Sequence, residues 1–147
     1  MQYLDVRDLA AWMLKAADRG LGDAFTVTGP PGAITLGDLL TTAQQVTGFD
    51  TELVWAPPEL LLRHGLPLGM EFGLRLPDGS APRGMHDADV GAALAEGLTT
   101  RPLRETLADT WAWLQAEGDP APHADAPSPD TWLDAAAEQR LLDQLSH

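Results

Sequence analysis

Cysteine is missing from this chain of 147 residues, and lysine occurs only once, at position 15. Without cysteine the protein has no disulfide, no thiolate nucleophile and no cysteine-ligated metal. Basic residues are scarce as well: 9 lysines and arginines stand against 22 aspartates and glutamates, which gives a formal charge of −13. Such a chain is repelled by phosphate backbones and by anionic lipid, so we expect neither nucleic acid nor a membrane as a partner.

Long apolar runs and several catalytic motifs are also missing. No stretch of 18 apolar residues occurs, and the first residues lack a basic region followed by an apolar one, so neither a membrane span nor a signal peptide is predicted. We therefore expect a cytoplasmic protein. The sequence has no His-Glu-x-x-His, no histidines four residues apart and no Gly-x-Ser-x-Gly. A metal site and a serine hydrolase are therefore not expected.

The residue pattern predicts an α/β fold of three short strands and about five helices. β-Branched and aromatic residues predict strands over Tyr3–Val6, Ala24–Thr28 and Thr51–Trp55. Thr35, followed three residues later by Asp38, is typical of a capping box that begins a helix. Apolar residues at helical spacing predict helices from Arg7 to Gly20, Thr35 to Gly48, Asp87 to Glu96, Pro102 onward and Ser128 to Leu145, with a short one over Glu59–Arg63.

Composition divides the chain into three parts. Residues 1–117 carry the three strands and most of the helices, residues 118–128 are rich in proline, alanine and aspartate and predict a linker, and residues 129–147 predict one last helix. Most tryptophans lie on helical stripes and are expected in the core. Trp113 lies on the other side of its helix from Trp111, which favours an exposed aromatic at a contact surface.

The order of several segments resembles one known family. The segments are Gln2–Ala10, Ala24–Gly29, Leu36–Gly48, Asp89–Leu94 with Gly97-Leu98, Arg101–Leu107 and Asp109–Trp113. Together they resemble the C-terminal, substrate-binding half of an extended short-chain dehydrogenase/reductase of the NAD-dependent epimerase/dehydratase family. The match spans about three quarters of the chain and begins in what would be the middle of such an enzyme. The N-terminal Rossmann half has no counterpart here.

Two departures from the family concern the cofactor and the catalytic pair. The best match to a glycine-rich phosphate loop is Gly29-Pro30-Pro31-Gly32, but its prolines lack amide donors and Thr35 stands at the third glycine position, so a plain turn is favoured. The only tyrosine, Tyr3, has Arg7 and not lysine four residues later. We therefore expect this chain to bind no cofactor by itself, and NAD(P) to be present only where a partner supplies the Rossmann half.

The resemblance implies substrate contact in the irregular segment between Arg63 and Arg83. The candidate substrate-binding residues there are His64, Met70, Glu71, Phe72, Arg75 and Arg83. Mixed polar and apolar residues on loops suit a pocket, although ordinary loop chemistry explains them equally well. Few basic residues are present in the segment to hold a diphosphate, which disfavours a nucleotide-sugar substrate. No catalytic residue is assigned.

Three functions are consistent with these patterns. The first is the substrate-binding half of an NAD(P)-dependent epimerase, dehydratase or reductase that does not transfer hydride alone. The second is a stand-alone small-molecule binding protein or cofactor-independent enzyme, and the third is an oligomeric interaction module. Because a bare strand edge promotes aggregation, we expect a second copy, a swapped segment or a Rossmann-domain partner to cover the edge of Ala24–Thr28.

Overall fold

The computed structural model describes residues 1–64, 86–118 and 135–145, and within these ranges the protein is helical. Six helices follow one another along the described residues. They are α1 (Val6–Asp18), α2 (Leu36–Thr47), α3 (Pro58–Arg63), α4 (Gly91–Ala95), α5 (Leu103–Glu117) and α6 (Ala135–Leu145). None of the helices in these ranges is long and apolar enough to cross a membrane.

The prediction of an α/β fold is wrong for the described residues, which contain no β-strand. Residues 3–5 lead directly into α1, where Asp5 is the N-cap, and residues 24–28 and 51–55 belong to no helix or strand. A strand exists only where its backbone forms a hydrogen-bonded ladder with a neighbour. The three strands were predicted from β-propensity alone, and the described chain offers these residues no ladder partner.

The longer helices begin and end where their sequence signals place them. At the start of α2 the Thr35 hydroxyl accepts a hydrogen bond from the Asp38 N–H at 3.0 Å, and the Asp38 carboxylate accepts one from the Thr35 N–H at 2.8 Å. Gly48 ends this helix in the left-handed conformation, with φ of 72°. The predicted capping box and glycine stop are therefore confirmed.

The predicted helix over Asp87–Glu96 is shorter than expected. The helix α4 begins only at Gly91, because the Asp89 carboxylate accepts a hydrogen bond from the Gly91 N–H at 2.8 Å and fixes a turn before it. Gly97, with φ of 88°, follows its last turn. An aspartate that bonds to backbone two residues ahead competes with helix formation, which explains the lost first turn.

The larger of two compact units contains the described residues 1–51 and 86–118. Its core is formed by Trp12, Ala93 and Leu98, all less than a tenth exposed. Phe25 packs edge-on against Trp12, with ring centroids 5.2 Å apart. The helices α2 and α5 pack on each other, and Phe49 contacts Trp111. As predicted, Trp12 is buried, and Trp113 is 51% exposed.

The second unit contains the described residues 52–64 and 135–145. Leu60 and Leu61 of α3 form its core with Leu141 of α6, and Leu145 packs at the edge of this cluster. The predicted apolar face of the last helix is therefore confirmed at Leu141 and Leu145. The expected linker and the first part of the expected final helix lie outside the described residues, apart from Gly118 at the end of the larger unit.

Replacement of Thr35 by alanine tests the capping box. We expect Thr35→Ala to lower the free energy of unfolding by about 1 kcal/mol, because the Asp38 N–H loses its acceptor. Urea denaturation followed by circular dichroism measures the loss. The matched control is Thr41→Ala, at an exposed position inside α2, which should leave stability unchanged or slightly increased because alanine favours helix. Equal effects of the two variants would contradict the assignment.

Candidate functional site

A cluster of carboxylates and arginines lies at the start of α1 and joins it to the residues around α5. We call it the Asp–Arg cluster, and its members are Asp5, Arg7, Asp8, Arg101, Thr106 and Asp109. At its centre is the carboxylate of Asp5, whose side chain is 4% exposed. This carboxylate accepts hydrogen bonds from the backbone and guanidinium of Arg7 at 2.7–2.9 Å and from the Thr106 hydroxyl at 2.8 Å. Asp5 is thus both the N-cap of α1 and an ion-pair partner.

The second half of the cluster is formed by Asp8 and Arg101. The Asp8 carboxylate accepts three hydrogen bonds from Arg101, one from its backbone N–H at 2.8 Å and two from its guanidinium at 2.9 and 2.7 Å. The Arg101 guanidinium also lies 3.6 Å from Asp5. Since Asp8 is in the first turn of α1, its negative charge also interacts favourably with the helix dipole.

The cluster shifts the pKa values of its members in the directions that keep them charged. Hydrogen bonds from the Arg7 guanidinium hold the pKa of the Asp5 carboxyl well below its usual range, although burial acts in the opposite direction. Hydrogen bonds from Arg101 lower the pKa of Asp8 in the same way. The carboxylates of Asp5 and Asp8 are therefore ionised at neutral pH, and neither is available as a general acid there.

An open cleft of about 300 Å³ lies beside this cluster. Its wall consists of residues from the N-terminal segment, the turn at 29–34 and the segment that precedes α5. They are Met1, Tyr3, Gly29, Pro30, Ala33, Ile34, Thr100, Arg101, Pro102 and Leu103. Burial raises the pKa of the Tyr3 phenol, so at neutral pH this side chain is uncharged.

The N-terminal segment and the turn approach each other very closely in the wall of the cleft. Gly29 is buried, and a Cβ atom built on it would lie 2.2 Å from the carbonyl oxygen of Tyr3. The side-chain amide of Gln2 stabilises the same region. Its Nε2 donates hydrogen bonds to the Gly29 and Ala88 carbonyls at 3.0 and 2.9 Å. Its Oε1 accepts from the Ala88 N–H at 2.8 Å. These contacts connect three segments that are distant in sequence.

Residues 24–28 directly precede Gly29 of this junction and belong to no helix or strand. Phe25 and Val27 pack against the core, whereas Ala24 and Thr26 are exposed, so the side chains alternate as in a strand. No backbone hydrogen bond joins residues 24–28 to any other part of the described chain. Within the described ranges, the backbone N–H and C=O groups of this segment therefore have no hydrogen-bond partner, as at an unpaired strand edge.

The motif at Gly29–Gly32 forms a turn in the structure. Its Pro30 carbonyl accepts a hydrogen bond from the Ala33 N–H at 3.3 Å, and Gly32 has a φ of 68°. Helix α2 begins only at Leu36, so the turn does not lead directly into a helix N-terminus as a phosphate loop does. The Arg7 guanidinium binds Asp5 and Asp109, so it forms no catalytic pair with Tyr3.

The structure places only one of the sequence-predicted substrate residues. His64 is the exposed C-cap of α3, and its Nε2 lies 3.0 Å from the Nε2 of Gln144. Met70, Glu71, Phe72, Arg75 and Arg83 lie outside the described residues. No group of three or more histidines and carboxylates that could hold a metal occurs within the described ranges.

The sequence reasoning missed the Asp–Arg cluster and the cleft. One signal was available, because this chain contains only eight arginines and a single lysine, so an Asp-x-Arg-Asp sequence at a helix start indicates ion pairs. Its partner Arg101 lies 93 residues beyond Asp8, and no local pattern reveals such a contact. No protein-family model, curated protein or solved structure matches this chain.

Proposed function

We propose that this chain is the substrate-binding part of an NAD(P)-dependent epimerase, dehydratase or reductase, and that a Rossmann-domain partner docks against residues 24–28. The observation that carries the proposal is that the backbone of residues 24–28 makes no hydrogen bond to the other described residues, while the side chains from Ala24 to Val27 alternate between exposed and partly buried. An added strand would satisfy these groups by β-augmentation, a mode in which backbone hydrogen bonds provide the affinity.

The exposed side of α1 also supports a covering partner. Val6 and Leu14 are each 74% exposed, and Met13 is 57% exposed, while the opposite side of the helix buries Trp12. Several large apolar side chains exposed on one helix are typical of a contact surface. A partner that covers these side chains would remove them from water, and each methylene buried in this way contributes about 0.8 kcal/mol to association.

The chemistry assigned to the partner follows from the residues of this chain. The sequence contains no Tyr-x-x-x-Lys, and its nearest approach to a phosphate loop is a proline-containing turn. The partner would therefore contribute the nucleotide site and the proton-transfer pair, and this chain would contribute substrate contacts. The proposed location of the complex is the cytoplasm.

A second candidate function is small-molecule binding by the chain alone. The observation that favours it is the cleft of about 300 Å³, which lies entirely within the larger unit. A third alternative, an oligomeric interaction module, would use the same exposed apolar residues of α1 without any nucleotide. The three candidates differ in what accompanies the chain when it is isolated intact.

Native mass spectrometry of the protein purified from its host tests the proposal. We expect a stoichiometric complex whose second chain carries a glycine-rich loop and a Tyr/Lys pair and which retains NAD(P). Amide hydrogen exchange should show residues 24–28 exchanging rapidly in the isolated chain and slowly in the complex. A homo-oligomer without nucleotide, or a complex that leaves these amides unprotected, would contradict the proposal.

Two substitutions at Thr26 test whether the partner binds at residues 24–28. We expect Thr26→Pro to weaken the complex at least about tenfold, because proline removes an amide donor from the pairing edge. The control is Thr26→Val, which keeps the shape and the amide and should bind as the unaltered chain does. Thr26 is exposed, so circular dichroism should show both variants folded. Equal binding by the two variants would place the partner elsewhere.

A further inference from the structure

The cleft beside the Asp–Arg cluster suits a particular class of ligand. We propose that it binds small, uncharged molecules with an apolar body and one hydrogen-bond acceptor. The cleft belongs wholly to the described part of the larger unit, so this inference does not rest on a Rossmann-domain partner. Its volume of about 300 Å³ is at the lower end of small-molecule sites, which limits the ligand to a single ring or a short branched chain.

Most of the wall of the cleft is apolar. Pro30, Ile34, Pro102 and Leu103 are among its apolar residues, and the buried Gly29 adds bare backbone. Rigid proline rings and a backbone fixed by the close approach to Tyr3 leave little freedom to lose when a ligand enters. The apolar body of the ligand would therefore be recognised by a preformed surface.

Arg101 provides a fixed donor for the acceptor of the ligand. Its Nε and Nη2 donate to Asp8, and its backbone N–H binds the same carboxylate, so the guanidinium is held in one orientation. Among the described residues no acceptor binds Nη1, which leaves two N–H donors unused. A carbonyl or amide oxygen can take up these donors without any rearrangement of the cluster.

The local charges explain why the ligand is uncharged. Three cations lie at or beside the cleft, the two arginines of the cluster and the Met1 ammonium, which donates to the Ile34 carbonyl at 2.6 Å. The carboxylates of Asp5, Asp8 and Asp109 balance them, so an anion gains little from Arg101 and is opposed by a chain of net charge −13. A cation would lie against the Arg101 guanidinium, while the carboxylates that could attract it are already paired. A neutral acceptor avoids both penalties.

Three planar molecules of nearly the same shape but different charge test whether the cleft prefers an uncharged ligand. Benzamide is neutral, benzoate is an anion and benzamidinium is a cation. In titrations followed by amide shifts of the ¹⁵N-labelled chain, we expect benzamide to bind with a roughly millimolar Kd. The largest shifts should fall at residues 33–34 and 100–103, and benzoate and benzamidinium should bind at least about fivefold more weakly.

A variant that fills the cleft checks the location. Ala33 lines the cleft and is exposed, so Ala33→Trp should reduce benzamide affinity at least about tenfold while leaving the fold intact. The matched control is Ala10→Trp, at an exposed position of α1 away from the cleft, which should bind benzamide normally. The proposal is overturned if benzamide causes no saturable shift, if either charged analogue binds more tightly, or if Ala33→Trp leaves binding unchanged.

Discussion

A Gly29→Ala variant is expected to lose about 3 kcal/mol of unfolding free energy. The added Cβ would lie 2.2 Å from the carbonyl oxygen of Tyr3, a separation at which two backbones must move apart. The loss is large because the same junction carries the hydrogen bonds of Gln2 to Gly29 and Ala88. Displacing the turn by even a few tenths of an ångström weakens all of these contacts together.

The matched control for this variant is Gly22→Ala. Nothing lies within 4 Å of a Cβ at Gly22, and its φ is not in the left-handed region, so alanine should be neutral or stabilising by about 0.5 kcal/mol. Urea denaturation followed by far-ultraviolet circular dichroism measures both variants. If Gly29→Ala proved as stable as Gly22→Ala, the close approach of residues 3 and 29 would be wrong.

Replacement of Asp5 by asparagine should be nearly as damaging, with an expected loss of about 3 kcal/mol at pH 7. Asparagine keeps a side-chain oxygen that can cap α1. The loss of unfolding free energy therefore measures the effect of removing the charge and not the effect of removing the cap. Without the carboxylate, the guanidiniums of Arg7 and Arg101 lose a buried counter-charge, and the Thr106 hydroxyl loses a charged acceptor. The control is Asp18→Asn at the exposed end of α1, expected within about 0.5 kcal/mol of the original.

The pH dependence of stability should identify the same carboxylate. Because the pKa of Asp5 is lower in the folded protein than in the unfolded chain, its contribution is complete above the ordinary carboxyl pKa of about 3.9 and decreases as the pH falls further. Denaturation at pH 7 and at pH 3 should therefore show a smaller difference for Asp5→Asn than for the unaltered chain. A part of the dependence should remain, since the pKa of Asp8 is also lowered. Identical pH profiles would exclude Asp5 as its source.

Local signals in the sequence predict the helices of this protein well. The capping box at Thr35 and the left-handed Gly48 are decided within a few residues of chain, and both are found in the structure. The apolar stripe predicted for α1 is found only in part, because Trp12 is buried whereas Met13 is 57% exposed. The expected strands failed for a physical reason. Pairing depends on a second segment, and the composition of residues 24–28 predicts extended backbone without showing that a neighbour is present.

The candidate site was less predictable than the helices. Asp8 and Arg101 are separated by 93 residues, and the wall of the cleft combines residues near positions 1–3, 29–34 and 100–103. Only the tertiary fold brings these segments together. The loop around His64 attracted attention because it mixes polar and apolar residues, yet in the described structure His64 is exposed at a helix end beside Gln144.

The sequence separation within the Asp–Arg cluster also has a kinetic consequence. Apart from the local pair of Asp5 and Arg7, its contacts join residues 5–8 to residues 101–109 across 93 to 102 positions, so a loop of that length must close before they can form. Contacts that close long loops raise the contact order and slow folding relative to a bundle of locally connected helices. Contacts that form late in folding affect mainly the unfolding rate. We therefore expect the cluster to prolong the lifetime of the native state more than it accelerates its formation.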